Sequence, residues 1–240
     1  MDIQLLAEIA VGALALILFL ALWKPLLGIV SIPENCIGVV NIKFVLLGRH
    51  KALPDGRIVA LQGEAGWQAD TLAPGLYFFY WPWQYRVERI AQVIVPPGEV
   101  GVVEANDGTP IPAGRVLAKH IASDAFQDAR AFLSNGGERG PQITAIPPGT
   151  YRINTALFNV QFVKAISIPQ GEVGIVTTFE GKPLAKGEIA GAEVAGHTMF
   201  QNGQAFLDGG GFKGLQEQVI LAGTYFLNPK FASVELVPMT

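Results

Sequence analysis

Three histidines, one cysteine and a few carboxylates are the residues of this chain whose types could do chemistry. Their spacing argues against most of it. His50, His120 and His197 lie far apart, and none stands at metal-ligand spacing from another histidine or from Cys36, so no metal site is expected. No set of Ser, His and Asp stands out as a nucleophilic triad. Gly209-Gly210-Gly211 runs into Phe212-Lys213-Gly214, and not into a helix start with Lys-Ser/Thr, so a nucleotide loop is not expected. Each histidine reads as a surface or loop residue. Cys36 cannot form an internal disulfide, and its apolar run predicts a buried structural thiol. Glu99 and Glu172 follow prolines and read as partners of turn amides. The expectation is no catalytic residue, no cofactor and no enzyme.

The elements that would position such residues are repeated. Ala73-Pro74-Gly75-Leu76-Tyr77, Pro147-Pro148-Gly149-Thr150-Tyr151 and Leu221-Ala222-Gly223-Thr224-Tyr225 place three tyrosines at a constant spacing of 74 residues. A second phrase accompanies them: Ile32 to Val40, Pro96 to Val103 and Ile168 to Val176, each with Val-Gly or Ile-Gly before a β-branched pair. Repetition at this period marks one small unit used three times. The predicted organisation is 1–30 as a transmembrane anchor, then β repeats at 31–94, 95–166 and 167–240. The predicted class is mainly β with minor α.

Composition agrees with many short strands. Half of the 240 residues are apolar and 15% are charged, with 28 Gly and 16 Pro at punctuating positions. A net charge of −3 and the lack of a Lys/Arg cluster argue against a nucleic-acid partner.

From Ile3 to Trp23 the only polar residues are Gln4 and Glu8. About 20 residues of helix cross a bilayer core, so Ile9, Leu14, Leu18 and Leu20 are read as the anchor, with Trp23 and Lys24 at its interfacial end. A cleavable signal peptide would want a basic start, but Asp2 and Glu8 are the only charges before the run, and a small-x-small site, but Trp23-Lys24-Pro25 follows. Lys24 after the span, against no Lys or Arg before it, favours a single-pass protein with a cytoplasmic body.

Within the repeats, Cys36 to Leu47, Arg57 to Leu61, Arg86 to Val95 and Glu99 to Glu104 read as strands. Ser123 to Leu133 reads as a helix capped by Ser123, with Phe126, Ala129, Phe132 and Leu133 on one face and Asn135-Gly136-Gly137 as its stop. The equivalent stretch in the third repeat carries Gly203, which lowers its helix preference and leaves a hairpin as an alternative. Gly75, Gly149 and Gly223 suit type II turns, with Tyr77, Tyr151 and Tyr225 packing inward and bonding at the rim. The first repeat alone continues into Phe78-Phe79-Tyr80-Trp81-Pro82-Trp83. Core packing, a membrane-interface belt and a ligand site all remain open for these aromatics.

Gly98-Glu99-Val100-Gly101-Val102-Val103, Phe126 to Gly137 and Pro147 to Asn154, read together with the N-terminal segment, resemble the bacterial flotillin-like members of the stomatin/prohibitin/flotillin (SPFH, band 7) superfamily. The resemblance covers nearly the whole chain. It implies an inner-membrane scaffold that forms a large homo-oligomeric ring or cage. Such a scaffold organises a microdomain of the lipid bilayer, or encloses an integral membrane protein such as a membrane protease. It brings no catalytic residues. It also implies that the protein continues past Thr240 into a band 7 domain and a coiled coil. Two alternatives are a vault-like shell protein and an envelope-exposed β-repeat module that binds a ligand through its aromatics.

Overall fold

The computed structural model describes residues 3–46 and 52–239. His50 and the end of the strand expected to reach Leu47 lie outside the described residues. The protein is mainly β, with one N-terminal apolar helix and several small sheets. Helix α1 spans Ile3–Leu27 and is mostly apolar, with no separate polar face.

Residues 1–54 and 60–91 form one compact unit, and residues 55–59 and 92–240 form another. In the first unit, β1 (Val30–Ile32) is followed by β2 (Cys36–Ile42), the two-residue β3 (Val59–Ala60), β4 (Gly66–Leu72), β5 (Gly75–Tyr77) and β6 (Tyr85–Ala91). Strand β1 pairs with β5, while the larger sheet has the order β3-β4-β2-β6. Apolar β2 is central because alternating residues on both of its faces need cover, and Ile37 and Val39 are fully buried.

The second unit writes the same topology twice. Strands β7 (Val93–Val95), β8 (Glu99–Ala105), β9 (Thr109–Pro110), β10 (Glu138–Ile146), β11 (Gly149–Tyr151) and β12 (Phe158–Lys164) make the second copy. Strands β13 (Ile166–Ile168), β14 (Glu172–Thr178), β15 (Gly214–Leu215), β16 (Gly223–Tyr225) and β17 (Ala232–Pro238) make the third. In each copy a short opening strand pairs with the tyrosine strand, and the long strand after it pairs with the last. The two copies share a core: Leu117 and Ile143 of the second pack with Ile168, Phe200, Phe206 and Phe231 of the third.

The insertion between β9 and β10 departs from expectation. Helix α2 covers only Ala129–Ser134 and is capped by Asp128, whose carboxylate accepts from the Ala131 amide. Asp124, Ala125 and Phe126 instead form a left-handed turn, with φ of 49°, 51° and 66°. The turn is repeated at Thr198, Met199 and Phe200, so it is built into the fold. It swings Phe126 and Phe200 into the core, where they meet Phe132 and Phe206 at 6.2 and 5.5 Å. Ser123 is buried, and its hydroxyl donates to the Ile121 carbonyl instead of capping the helix. The third copy holds a helix and not a hairpin: α3, Gly203–Asp208, capped by Asn202. Gly203 fits because a Cβ there would sit 2.8 Å from Ile143.

Candidate functional site: the helix end and the repeat joint

Helix α1 has a window, Ala10–Leu27, that is long and apolar enough to cross a membrane, and none of it is buried in the protein. Leu14, Leu18 and Leu20 are exposed on it, Trp23 partly so. Ile9 lies in the helix, but its side chain is outside the described residues. What distinguishes this helix is its C-terminal end. The last four carbonyls of a helix have no partner within it. Here all four are satisfied. The Ile29 amide donates to Lys24 O and the Gly28 amide to Pro25 O, closing a Schellman cap with Gly28 at φ 61°. The Trp81 indole Nε1 donates to Leu26 O at 3.0 Å, and the Phe79 amide donates to Leu27 O at 3.0 Å. The Tyr80 amide adds a bond to Gly28 O at 2.9 Å.

The aromatic segment is therefore a clamp on the helix end. Phe78, Phe79 and Trp83 remain 48%, 64% and 52% exposed, so core packing is not their role. Trp81 and Trp83 stack at 5.8 Å, and Phe79 leans on Trp81 at 5.7 Å. Phe79 holds a left-handed φ of 66°, a strained conformation for a bulky residue, and it is this residue that delivers its amide to Leu27. Tyr80 is half-buried between Tyr77 and Tyr85, and burial first, then those neighbouring phenols and Asp70, push its pKa above the ordinary phenol value.

The three tyrosine corners share one geometry. Tyr77, Tyr151 and Tyr225 donate their hydroxyls to Ala73 O, Pro147 O and Leu221 O at 2.9, 2.9 and 3.0 Å. The glycines are not turn residues. Gly75, Gly149 and Gly223 are strand residues paired with Ile32, Val95 and Ile168. Gly149 and Gly223 are needed for space, since a Cβ on either would lie 3.1 Å from the tyrosine hydroxyl that folds back over it, while Gly75 and Gly223 also hold the expected positive φ, at 152° and 157°.

Sequence reasoning missed the buried acids. Asp107 is 1% exposed and accepts from the amides of Ile58 and Val59 at 2.7 and 2.8 Å, with Arg57 at 3.4 Å. Glu180 occupies the same place in the third copy. It accepts from Arg115 Nε at 2.8 Å and from the Leu117 amide at 3.0 Å. The phrases Pro54-Asp55-Gly56-Arg57-Ile58-Val59-Ala60 and Pro112-Ala113-Gly114-Arg115-Val116-Leu117-Ala118 are the same element, and each is gripped by an acid. Their shared Gly-Arg was the available signal. The third copy's version, Gly187-Glu188-Ile189-Ala190-Gly191, meets no acid among the described residues, and Ile189 is 83% exposed. The joint between copies two and three is reinforced by Asn228, whose amide donates to Gln142 O and Ile143 O at 2.8 and 3.0 Å.

The remaining candidates have other roles. His197 lies in a loop, one of the two placements expected, but is buried and not at the surface: its Nδ1 accepts from the Phe200 amide at 2.7 Å, so Nε2 donates to Gln218 at 2.9 Å. It props up the left-handed turn. His120 is exposed and contacts Thr144 Oγ1 at 2.9 Å. Cys36 is partly exposed at the start of β2, not buried. At Glu99 and Glu172 the backbone amides, not the carboxylates, close turns on Pro96 O and Pro169 O. Among the described residues, no group of three or more His, Cys, Asp or Glu could hold a metal ion.

What these places can do is hold one backbone to another: carboxylate on amide, hydroxyl and indole on carbonyl. Compared with models of known protein families and with characterised proteins, the sequence matches none.

Proposed function

We propose that this protein is a membrane-anchored scaffold of the flotillin-like kind, in which α1 spans the bilayer and the β repeats are the material of a larger homo-oligomer. The observation that carries the reading is the helix end. An unpaired carbonyl is costly where water is scarce, and every terminal carbonyl of α1 has a protein donor, two of them from an exposed aromatic segment of the kind that favours the headgroup level. The repeat joint supports the scaffold half. One acid-on-backbone contact is used at Asp107 and again at Glu180, and the third copy presents the matching element uncovered. Modular stacking of this type lets units add without new chemistry.

The test is carbonate extraction of the full chain, followed by electron microscopy of the detergent extract. Retention in the membrane with α1 still attached, judged by intact mass, together with closed rings or cages, is the expected result. A chain that washes off intact, or that has lost residues 1–30, overturns the anchor. Monomers in every detergent overturn the assembly.

A further inference from the structure

We infer that the first unit carries a binding site for the phosphate headgroup of an anionic phospholipid, formed by Lys24 and Arg89 at the end of α1. The inference rests on the anchor reading above and adds a ligand to it. A cavity of about 290 Å³ opens beside the helix terminus, lined by Trp23, Lys24, Ser31, Leu76, Phe78 and Arg89. Its two cations arrive from elements far apart in sequence, the last turn of α1 and the middle of β6, where Arg89 pairs in register with Gly38. Neither cation has a carboxylate partner among the described residues, and no acid lines the cavity. Lys24 lies 5.9 Å over the Trp23 ring, which holds its ammonium near the cavity.

The walls are as informative as the cations. Leu76 and Phe78 are 58% and 48% exposed, so half of a bulky apolar surface stands open beside two positive charges. A free phosphate ion would use the cations and waste that surface. A phospholipid uses both, with its phosphate against Lys24 and Arg89, the Ser31 hydroxyl within the same cavity, and its glycerol and upper acyl chain against the indole, Leu76 and Phe78. The helix terminus is no rival for the cations, because its carbonyls are already bonded. Arg86 offers an internal contrast. It lies on the opposite face of β6 and is paired with Glu88 at 2.7 Å.

Native mass spectrometry of the detergent-extracted full chain tests this, with added phosphatidylglycerol, phosphatidylcholine or inorganic phosphate. Phosphatidylglycerol should be retained in preference to phosphatidylcholine by about 25-fold, with each of K24Q and R89Q removing about fivefold. R86Q should leave the preference intact, and circular dichroism should show all variants folded. Equal retention of the two lipids by a chain that resists carbonate extraction overturns the site and leaves the anchor standing. A preference that survives the K24Q/R89Q double variant also overturns it. Displacement of phosphatidylglycerol by millimolar phosphate overturns the lipid as the ligand. A chain that fails carbonate extraction brings down the anchor reading, and the site with it.

Discussion

The segment that follows each tyrosine corner is fastened in two different ways, and the difference separates the first copy from the other two. In the second and third copies the fastening is a glutamine from the insertion: Gln127 accepts from the Arg152 amide and Gln201 from the Phe226 amide, both at 2.9 Å. In the first copy the insertion is missing. The equivalent segment, Phe78 to Trp81, is held by the carbonyls of α1 and Gly28. The corner therefore serves as an internal joint in the second and third copies and as the attachment of a helix in the first. The lesson is that the repeat can fasten this segment without the insertion. It lets the helix end supply the bonds that an insertion supplies elsewhere.

The largest expected effect lies on the side-chain-fastened half. Glu180→Ala leaves Arg115 and the Leu117 amide without their buried partner, a loss of about 3–5 kcal/mol. Hydrogen exchange should show the Leu117 amide opening, while the amides of Phe79 and Tyr80 stay protected. Opening of both sets would erase the distinction between the two halves. Gly28→Val is the counterpart on the helix side. Gly28 has a left-handed φ, and a Cβ there would lie 2.7 Å from the Tyr80 nitrogen. Backbone strain and overpacking together should cost about 3 kcal/mol. The protection of the Phe79 and Tyr80 amides should be lost and that of Arg152 and Phe226 kept.

A smaller change isolates one bond of the clamp. Trp81→Phe keeps an aromatic ring, though a smaller one, and removes the indole donor to Leu26 O, for about 1–2 kcal/mol. In lipid the loss should exceed that in detergent, where water can reach the carbonyl. Equal losses in both would count against placing this helix end at a dry interface. Smaller again is Tyr151→Phe, which deletes the exposed bond to Pro147 O for about 0.5–1 kcal/mol. Tyr77→Phe should match it if the corners are equivalent, so a large difference between the two would show that the first corner has been modified for the helix.

The repeat, its strands and the apolar helix were legible because each is written locally, in periodicity and in phrases that recur at fixed spacing. What was not legible depends on distant partners or on rare backbone states. Asp107 follows Asn106 and precedes Gly108, which reads as a turn, yet its partners Ile58 and Val59 are 49 and 48 residues away. His197 looks like a loop histidine until Phe200 and Gln218 close around it. The helix expected at Ser123–Leu133 was shortened by three left-handed residues, a conformation that neither propensity nor apolar spacing signals at Asp124, Ala125 and Phe126. The corner glycines read as type II turn residues; the positive φ is there at Gly75 and Gly223, but their place in strands, and the tyrosine folded back over Gly149 and Gly223, depend on packing that the local sequence does not show. For the aromatics, sequence left three roles open because their partners, the carbonyls of Leu26, Leu27 and Gly28, are backbone atoms that any sequence carries.

The smallest predicted effect is one of pH. The first copy has Tyr80 where the other copies have Asn154 and Asn228, so it alone carries a titratable ring at this place. Burial, aided by Tyr85, Tyr77 and Asp70, raises the Tyr80 pKa above 10.0, so the folded unit keeps the phenol proton at a pH where the unfolded chain releases it. The associated stability is complete below pH 10 and disappears as pH rises through the higher folded value. All four tryptophans, Trp23, Trp67, Trp81 and Trp83, belong to the first unit, so tryptophan fluorescence reports on that unit alone. Denaturant unfolding followed this way should show stability falling above pH 10 in the wild type, with the fall reduced in Tyr80→Phe. Tyr151, also raised by burial, lies in the second unit, and Tyr151→Phe should leave the fluorescence profile unchanged. If Tyr80→Phe falls as steeply as the wild type, the ring is more solvated than its place behind the clamp implies, and the clamp's hold on the helix end is looser than its bond lengths indicate.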